Sequence, residues 1–489
     1  MTTSLPSSLS SPVTVIRKAR FVLAHDASTG THHYLTDADV AFANGKILHV
    51  GGTYAGEAAR EIDGRDRLVM PGLVNVHCHS GDEPIAKGVF DDVGSPALWG
   101  NALYEFSTLI DAPPAFKAAA QTVMLCELLK SGVTTLVDIA GPHPDWLPIH
   151  ARSGARVYVA PGFRQAQWRV VDSHRLEFDW NEQAGRERFA LALETVDEAR
   201  KHPSGRIGGI VAPSQIETCR EDLLVDAVEA ARSRGLRITI HAAQTMAEHE
   251  ELLRRSGLTA PAFLDRIGVL GPDLILGHGI FLDHHSWTRQ RTAEDLPLLA
   301  ERGTSIAHCP VTFGRSGMTL QTLGRYRKAG VNVAMGTDSY PHNMLEEMRE
   351  AMILARVGAG TFMDTSTADI VNQATLNGAK ALGRDDIGRL CVGARADLVL
   401  VDCRHPLMQP VRDPMRSLIL AAAERAVSDV FVDGEQVVAQ GRVTTLDYEG
   451  AAAELQAALE GAALDVPKLD PRGRSLDAMA PLAFALKSA

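Results

Sequence analysis

The spacing of apolar and polar positions changes twice along the chain. Up to residue 69 they form short runs, "VTVIRKARFVLAHD", "DADVAFANGKILHVGG" and "DRLVMPG", separated by Gly and Asn/Asp turns, which predicts a small unit of β-strands. From residue 70 to 387, short apolar runs alternate with longer Ala/Leu/Glu/Arg-rich stretches of helical period, the pattern of βα units around a parallel sheet. The runs are "LVNVHCH", "TTLVDIA", "RVYVAPGFR", "IGGIVAPS", "RITIHAA", "LILGHGI", "TSIAHCP" and "VNVAMGTDS". Eight strands with helices between them, spread over roughly 270 residues, match a (β/α)8 TIM barrel of the α/β class. Past Gly388, "GRLCVGARADLVLVDC" and "AVSDVFVDGEQVVAQGRV" return to short strands whose natural partners are the amino-terminal ones. The expected organisation is a flexible tail over 1–12, a composite β-sandwich from 13–69 and 388–447, and the barrel over 70–387. A C-terminal helix and tail over 448–489 follow, the apolar stripe of the helix serving as packing surface.

Barrel enzymes build their sites at the carboxyl ends of strands, so the last residues of each run carry the chemistry. Alternation along the first run sends His77 and His79 to one face and Cys78 to the other. Strand five is expected to end in His241, strand six in His278, strand seven in His308 and strand eight in Asp338. With 18 histidines in 489 residues, this concentration at strand ends points to a metal site rather than to scattered core imidazoles. His77, His79, His241 and Asp338 suit one divalent ion, zinc first, with Fe2+ or Mn2+ as the alternatives. His278 is read as an acid/base group beside the bound water, with fifth ligand as the alternative. His308 either braces a loop or touches substrate. His284 and His285 lie past the sixth strand and are expected to be solvated, and Cys78 and Cys309 read as small packing residues.

Loops after the strands offer a substrate pocket. Trp99 and Tyr104, then Phe163, Arg164, Gln165 and Trp168 around the end of the third run, could stack on and hydrogen-bond a planar ring or serve as loop packing, and Arg315 could meet an acidic substrate group or form a salt bridge. Composition narrows the partner class. The net charge is -11 with no basic block, which favours a small-molecule substrate over nucleic acid or an anionic membrane surface. No run of about 18 apolar residues could span a bilayer. Six scattered cysteines with no C-x-x-C pair read as reduced, and the expected compartment is cytoplasmic.

Taken in order, "PGLVNVHCH", "ITIHAAQT", "LILGHGI", "SIAHCPV", "VAMGTDS" and "GRLCVGARADLVLVD" resemble the amidohydrolase superfamily. The similar branch contains cytosine and guanine deaminases, S-adenosylhomocysteine deaminase and the triazine hydrolases, and the resemblance runs over roughly residues 12 to 447. It implies one metal on His77, His79, His241 and Asp338, His278 orienting the attacked group, and a homo-oligomer. Two-metal branches carry a carboxylated lysine at the end of strand four, where this chain has "IGGIVAPSQIETC" and no lysine. Two positions depart from the branch. Gln244 stands where its deaminases carry a proton-passing glutamate, and Phe313 stands where an asparagine is common. An amide cannot deliver a proton at neutral pH. The expected function is a mononuclear hydrolase that displaces ammonia or an amine from a nitrogen heterocycle, with Asp338, His278 and Gln244 as its catalytic groups. Hydrolysis of an amide, urea or cyclic amide is the alternative, and a catalytically silent scaffold the third reading. The other zinc deaminase class needs H-x-E followed by P-C-x-x-C, and no such linked pair occurs here.

Overall fold

In the computed structural model of the chain, residues 12–81, 83–110, 113–170 and 175–487 are described; all of the expected tail but Pro12 lies outside them. Each of the eight apolar runs supplies one strand of a parallel ring. Leu73–Cys78, Val133–Ala140, Arg156–Phe163 and a fourth strand in two pieces, Ile207–Gly209 and Ala212–Pro213, pair in sequence. Ile238–Ala242, Leu274–His278, Ser305–His308 and Asn332–Met335 do the same. The two groups meet at both margins. Val211 and Gln215 bridge Ile238 and His241, and Cys78 bridges Asp338. Closure pairs the backbone that an open sheet would leave unpaired at its edges.

Inside the ring, Val74, Val76, Val137, Ile139, Ile210 and Ile275 form an apolar plug. Helices between the strands cover the outside through stripes of period 3.6. Glu221–Ser233 buries Leu223, Leu224, Ala227, Val228 and Ala231, with Glu221 and Asp222 at its positive end and Arg232 in its last turn. A hairpin, Ala166–Val170 with Leu176–Trp180, stands after the third strand where a plain loop was expected.

The chain ends build two sheets, one of them shared between the ends. One contains Thr14–Ala19, Ala38–Ala43, Lys46–Gly51 and Arg60–Asp63; in the other, amino-terminal Arg67–Pro71 pairs antiparallel with carboxy-terminal Leu398–Asp402. Ile16, Val40, Phe42, Val69, Leu400 and Phe431 pack into one core between them. The helix Tyr448–Leu469 buries Ala451, Leu455, Ala458 and Val466 against Ile85, Phe90 and Phe106, which follow the first ring strand. Its stripe is packing surface, and it props the segment that roofs the strand ends. Among the described residues, no helix is long and apolar enough to cross a membrane.

Arg156, at the base of the third ring strand, is 1% exposed and couples the ring to the terminal sheets. Its Nη2 donates to Asp433 at 2.6 Å and to Asp397 at 3.3 Å. Removing one partner of a buried pair strands the other charge. Arg156→Met is therefore expected to cost about 3–5 kcal/mol in urea unfolding. Arg186→Met, which breaks exposed pairs with Asp222 and Asp226, is expected to cost under about 1 kcal/mol.

Candidate metal centre and substrate pocket

The bridge that closes the ring also assembles the polar centre. Asp338 follows the last strand with φ +54°, a left-handed conformation that aspartate tolerates better than most residues. Its N–H donates to the His77 carbonyl at 2.9 Å, and its carbonyl accepts the His79 N–H at 3.2 Å. Held this way, one carboxylate oxygen, Oδ1, lies 3.3 Å from His77 Nε2, 3.1 Å from His79 Nε2 and 3.8 Å from His278 Nε2. His241 Nε2 stands 3.3 Å from His79 Nε2.

Backbone carbonyls set the tautomers of two imidazoles. His241 Nδ1 lies 2.6 Å from the Ser214 carbonyl and His79 Nδ1 lies 2.7 Å from that of Ile139. Donation there leaves each Nε2 lone pair facing the centre. His77 needs room that only glycine provides. A Cβ on Gly277 would stand 2.7 Å from its Cε1, and one on Gly336 would stand 2.7 Å from its Cβ.

These residues fit a divalent metal. Donor atoms of His77, His241, His278 and Asp338 lie within 4.8 Å of one another, all buried, and His79 Nε2 faces the same carboxylate oxygen. Nε2 of the fully buried His77 makes no hydrogen bond, a cost that a cation removes. Electrostatics suit the fit. Burial holds His278 down to about 3 and His241 well below the usual range, so both are neutral ligands or donors. Burial works against the Asp338 charge, but the surrounding imidazoles outweigh it and keep the carboxyl well below its usual range. His79 is raised to about 9, its hydrogen bond to Asp338 overcoming burial, so proton and metal compete for one site.

A cavity of about 380 Å³ opens over the centre and reaches His79, His241 and Asp338. Gln244, Arg164, Trp168 and Arg315 line it, together with Phe313. The Phe313 ring packs 4.5 Å from that of His278, which gives this departure from the family pattern a local role. Arg315 donates to Asp91 at 2.7 Å and to Ser339 at 3.0 Å, so its charge is met within the chain. Trp99, Gln165 and His308 are not among the lining residues. Trp99 is 36% exposed and stacks 6.2 Å from Trp287. Gln165 is buried, with its Oε1 accepting from the Arg220 N–H at 2.7 Å, and so ties two loops together. His308 is buried at the end of the seventh strand, where desolvation lowers it to about 3. The expectation that His285 is solvated fails. It is 2% exposed, packed 4.7 Å from the Phe281 ring, because the chain folds back over the strand end; His284 is half-buried.

Two acids beside the pocket escaped the sequence reading. Glu248 accepts from the N–H groups of Ala243 at 2.6 Å and Gln244 at 2.8 Å, while its own N–H donates to the Thr245 hydroxyl. The legible signal was Thr-x-x-Glu at a helix start, a capping pattern. Glu217, just past strand four, carried no such signal. Both are 1% exposed. Burial pushes the Glu217 carboxyl up to about 7, and burial together with the Glu217 charge pushes Glu248 well above its usual range.

Comparison with known proteins gives consistent results. Residues 68–437 match the amidohydrolase family. A 5-methylthioadenosine/S-adenosylhomocysteine deaminase of Natronomonas pharaonis is 31% identical over 451 residues, 90% of this chain and 97% of that protein. The crystal structure of an adenosine deaminase from Xanthomonas campestris with bound zinc superposes with a TM-score of 0.78 at 27% identity, covering 92% of this chain and 98% of that one. Atrazine chlorohydrolase TrzN from Arthrobacter aurescens, complexed with zinc, shares the fold with a TM-score of 0.76 at 21% identity, over 91% of this chain and 100% of that one.

Glu217 yields a prediction with a definite sign. Its folded pKa lies above the ordinary 4.5, so the native state holds the proton more tightly and loses stability as pH rises from 4.5 through about 7. Glu217→Gln removes that loss. Urea unfolding at pH 8 is expected to show the variant more stable by about 1–3 kcal/mol, the gain shrinking toward zero near pH 4.5.

Proposed function

The chain belongs to the amidohydrolase family, and on that premise we propose that it is a mononuclear, zinc-dependent aminohydrolase releasing ammonia or an amine from an aminated nitrogen heterocycle, with an aminopurine nucleoside as the first candidate. As a member of the family it is a hydrolase of carbon–nitrogen bonds. The carrying observation is the convergence of His77, His79, His241 and Asp338 beneath one cavity, which reaches the last three and whose wall presents Gln244. In this reading the ring of strands is a (β/α)8 barrel, and the two terminal sheets form its accessory β-sandwich over 13–69 and 388–447.

A metal held by those four residues would supply Lewis acidity, lowering the pKa of water from about 15.7 to about 7. The chain's own groups do the rest. Asp338, charged across the working pH range, receives the proton of the attacking water and returns it to the departing amine. His278, neutral and covered by Phe313, directs an N–H toward charge developing on the attacked ring. Gln244 donates its amide hydrogen to a ring nitrogen, orienting the ring without transferring a proton. Proton delivery then falls to Asp338 alone, which makes this chain a slower deaminase than one with an acid at 244.

Gln244 also supports a second reading, hydrolysis of an amide, urea or cyclic amide, in which no ring nitrogen needs a proton. One substitution separates the two. With 5'-methylthioadenosine as substrate, Gln244→Glu is expected to raise kcat about tenfold or more with zinc content unchanged; loss of turnover on every heterocycle would favour the amide reading. Elemental analysis is expected to find about one zinc per chain, and none in His241→Ala.

A further inference from the structure

The mechanism leaves Glu217 unused, although its surroundings are built. Its Oε1 accepts the indole N–H of Trp168 at 3.2 Å, its Oε2 is buried without a partner, and its backbone carbonyl accepts from Arg255 at 2.6 Å. Trp168 lines the cavity from the hairpin after strand three. The Tyr104 ring meets the indole at 5.1 Å, nearly perpendicular to it, and the Arg164 guanidinium lies 5.5 Å from the indole centre. The Tyr104 hydroxyl pairs with Thr245 at 2.6 Å, and Thr245 caps the helix whose Glu248 grips the N–H groups of Ala243 and Gln244. Elements that follow the first, third, fourth and fifth strands are thus joined in one chain of contacts.

We propose that Glu217 is a positioning residue for substrate: it holds Trp168 as the aromatic wall against which the planar ring lies, and the Tyr104–Thr245–Glu248 links keep that wall in register with Gln244. This deepens the heterocycle reading and rests on its planar substrate. The half-buried indole packs among Leu98, Tyr104, Val170 and Ala247 and gives its N–H to Glu217, and an aromatic wall contributes more to ring binding when its orientation is fixed beforehand. Apolar replacement of Glu217 frees the indole N–H and loosens the wall. An amide in its place still accepts that N–H.

The test is a double-mutant cycle on the zinc-loaded protein, read as KM and kcat for 5'-methylthioadenosine and as its Kd by calorimetry. Glu217→Leu is expected to raise KM and Kd about tenfold with kcat within about twofold, the pattern of lost uniform binding. Glu217→Gln recovers most of that loss, because its amide oxygen replaces the acceptor. In a Trp168→Phe background, which has no indole N–H, Glu217→Leu is expected to add less than about twofold. An equal effect of Glu217→Leu in both backgrounds overturns the proposal, as does a Glu217→Gln variant no better than Glu217→Leu. If the nucleoside binds with this coupling and releases no ammonia, the positioning role stands and the deaminase reading falls. If it is hydrolysed with no coupling in KM or Kd, the positioning role alone falls. A wild-type protein that neither binds nor hydrolyses it overturns both.

Discussion

The structure depends on the closure of eight strands at one point, where the last strand meets the first and Asp338 is locked between His77 and His79. Three separate requirements are met by that junction. It completes the backbone pairing of the ring, it forces Asp338 into a left-handed conformation, and it turns a carboxylate toward buried imidazoles. A lone carboxylate buried this deeply would be costly. Surrounded by His77, His79 and His278, it is charged, and the imidazoles present it and one another with a site of cation-sized spacing.

Around this centre the chain divides labour between rigid and adjustable parts. Ring strands carry the inner imidazoles, and backbone carbonyls set the tautomers of His79 and His241. The pocket wall comes from loops joined by side chains, among them the chain of contacts from Trp168 through Tyr104 to Gln244, and from a roof propped by the C-terminal helix. In the proposed function, chemistry common to many substrates sits on the first set and choice of substrate on the second. Gln244 lies at their boundary, three residues past His241, where in that reading an amide in place of an acid keeps the hydrogen bond and gives up the proton.

What the sequence made legible follows from what alternation encodes. Period 2 in "NVHCH" aims His77 and His79 together, and the structure brings both onto one Asp338 oxygen. The eight apolar runs each became a ring strand because their apolar faces had to fill the interior or meet helices. Loop residues obey no such period. Trp99 and Gln165 were expected in the pocket because they follow strands, yet one stacks on Trp287 at the surface and the other holds a neighbouring loop. His285 was expected in water and is buried, since nothing in local pattern tells whether a loop folds back. Glu217 was invisible for a related reason. Its role depends on Trp168, 49 residues earlier in the chain, arriving through a hairpin that the pattern did not announce.

The most direct test of the central claim is anomalous diffraction at the zinc edge from crystals of the zinc-loaded protein. The account predicts one peak per chain, at about 2.0–2.2 Å from Nε2 of His77, His79 and His241 and from an Asp338 carboxylate oxygen. Two peaks, a peak away from Asp338, or no peak in a protein that retains its fold would contradict it.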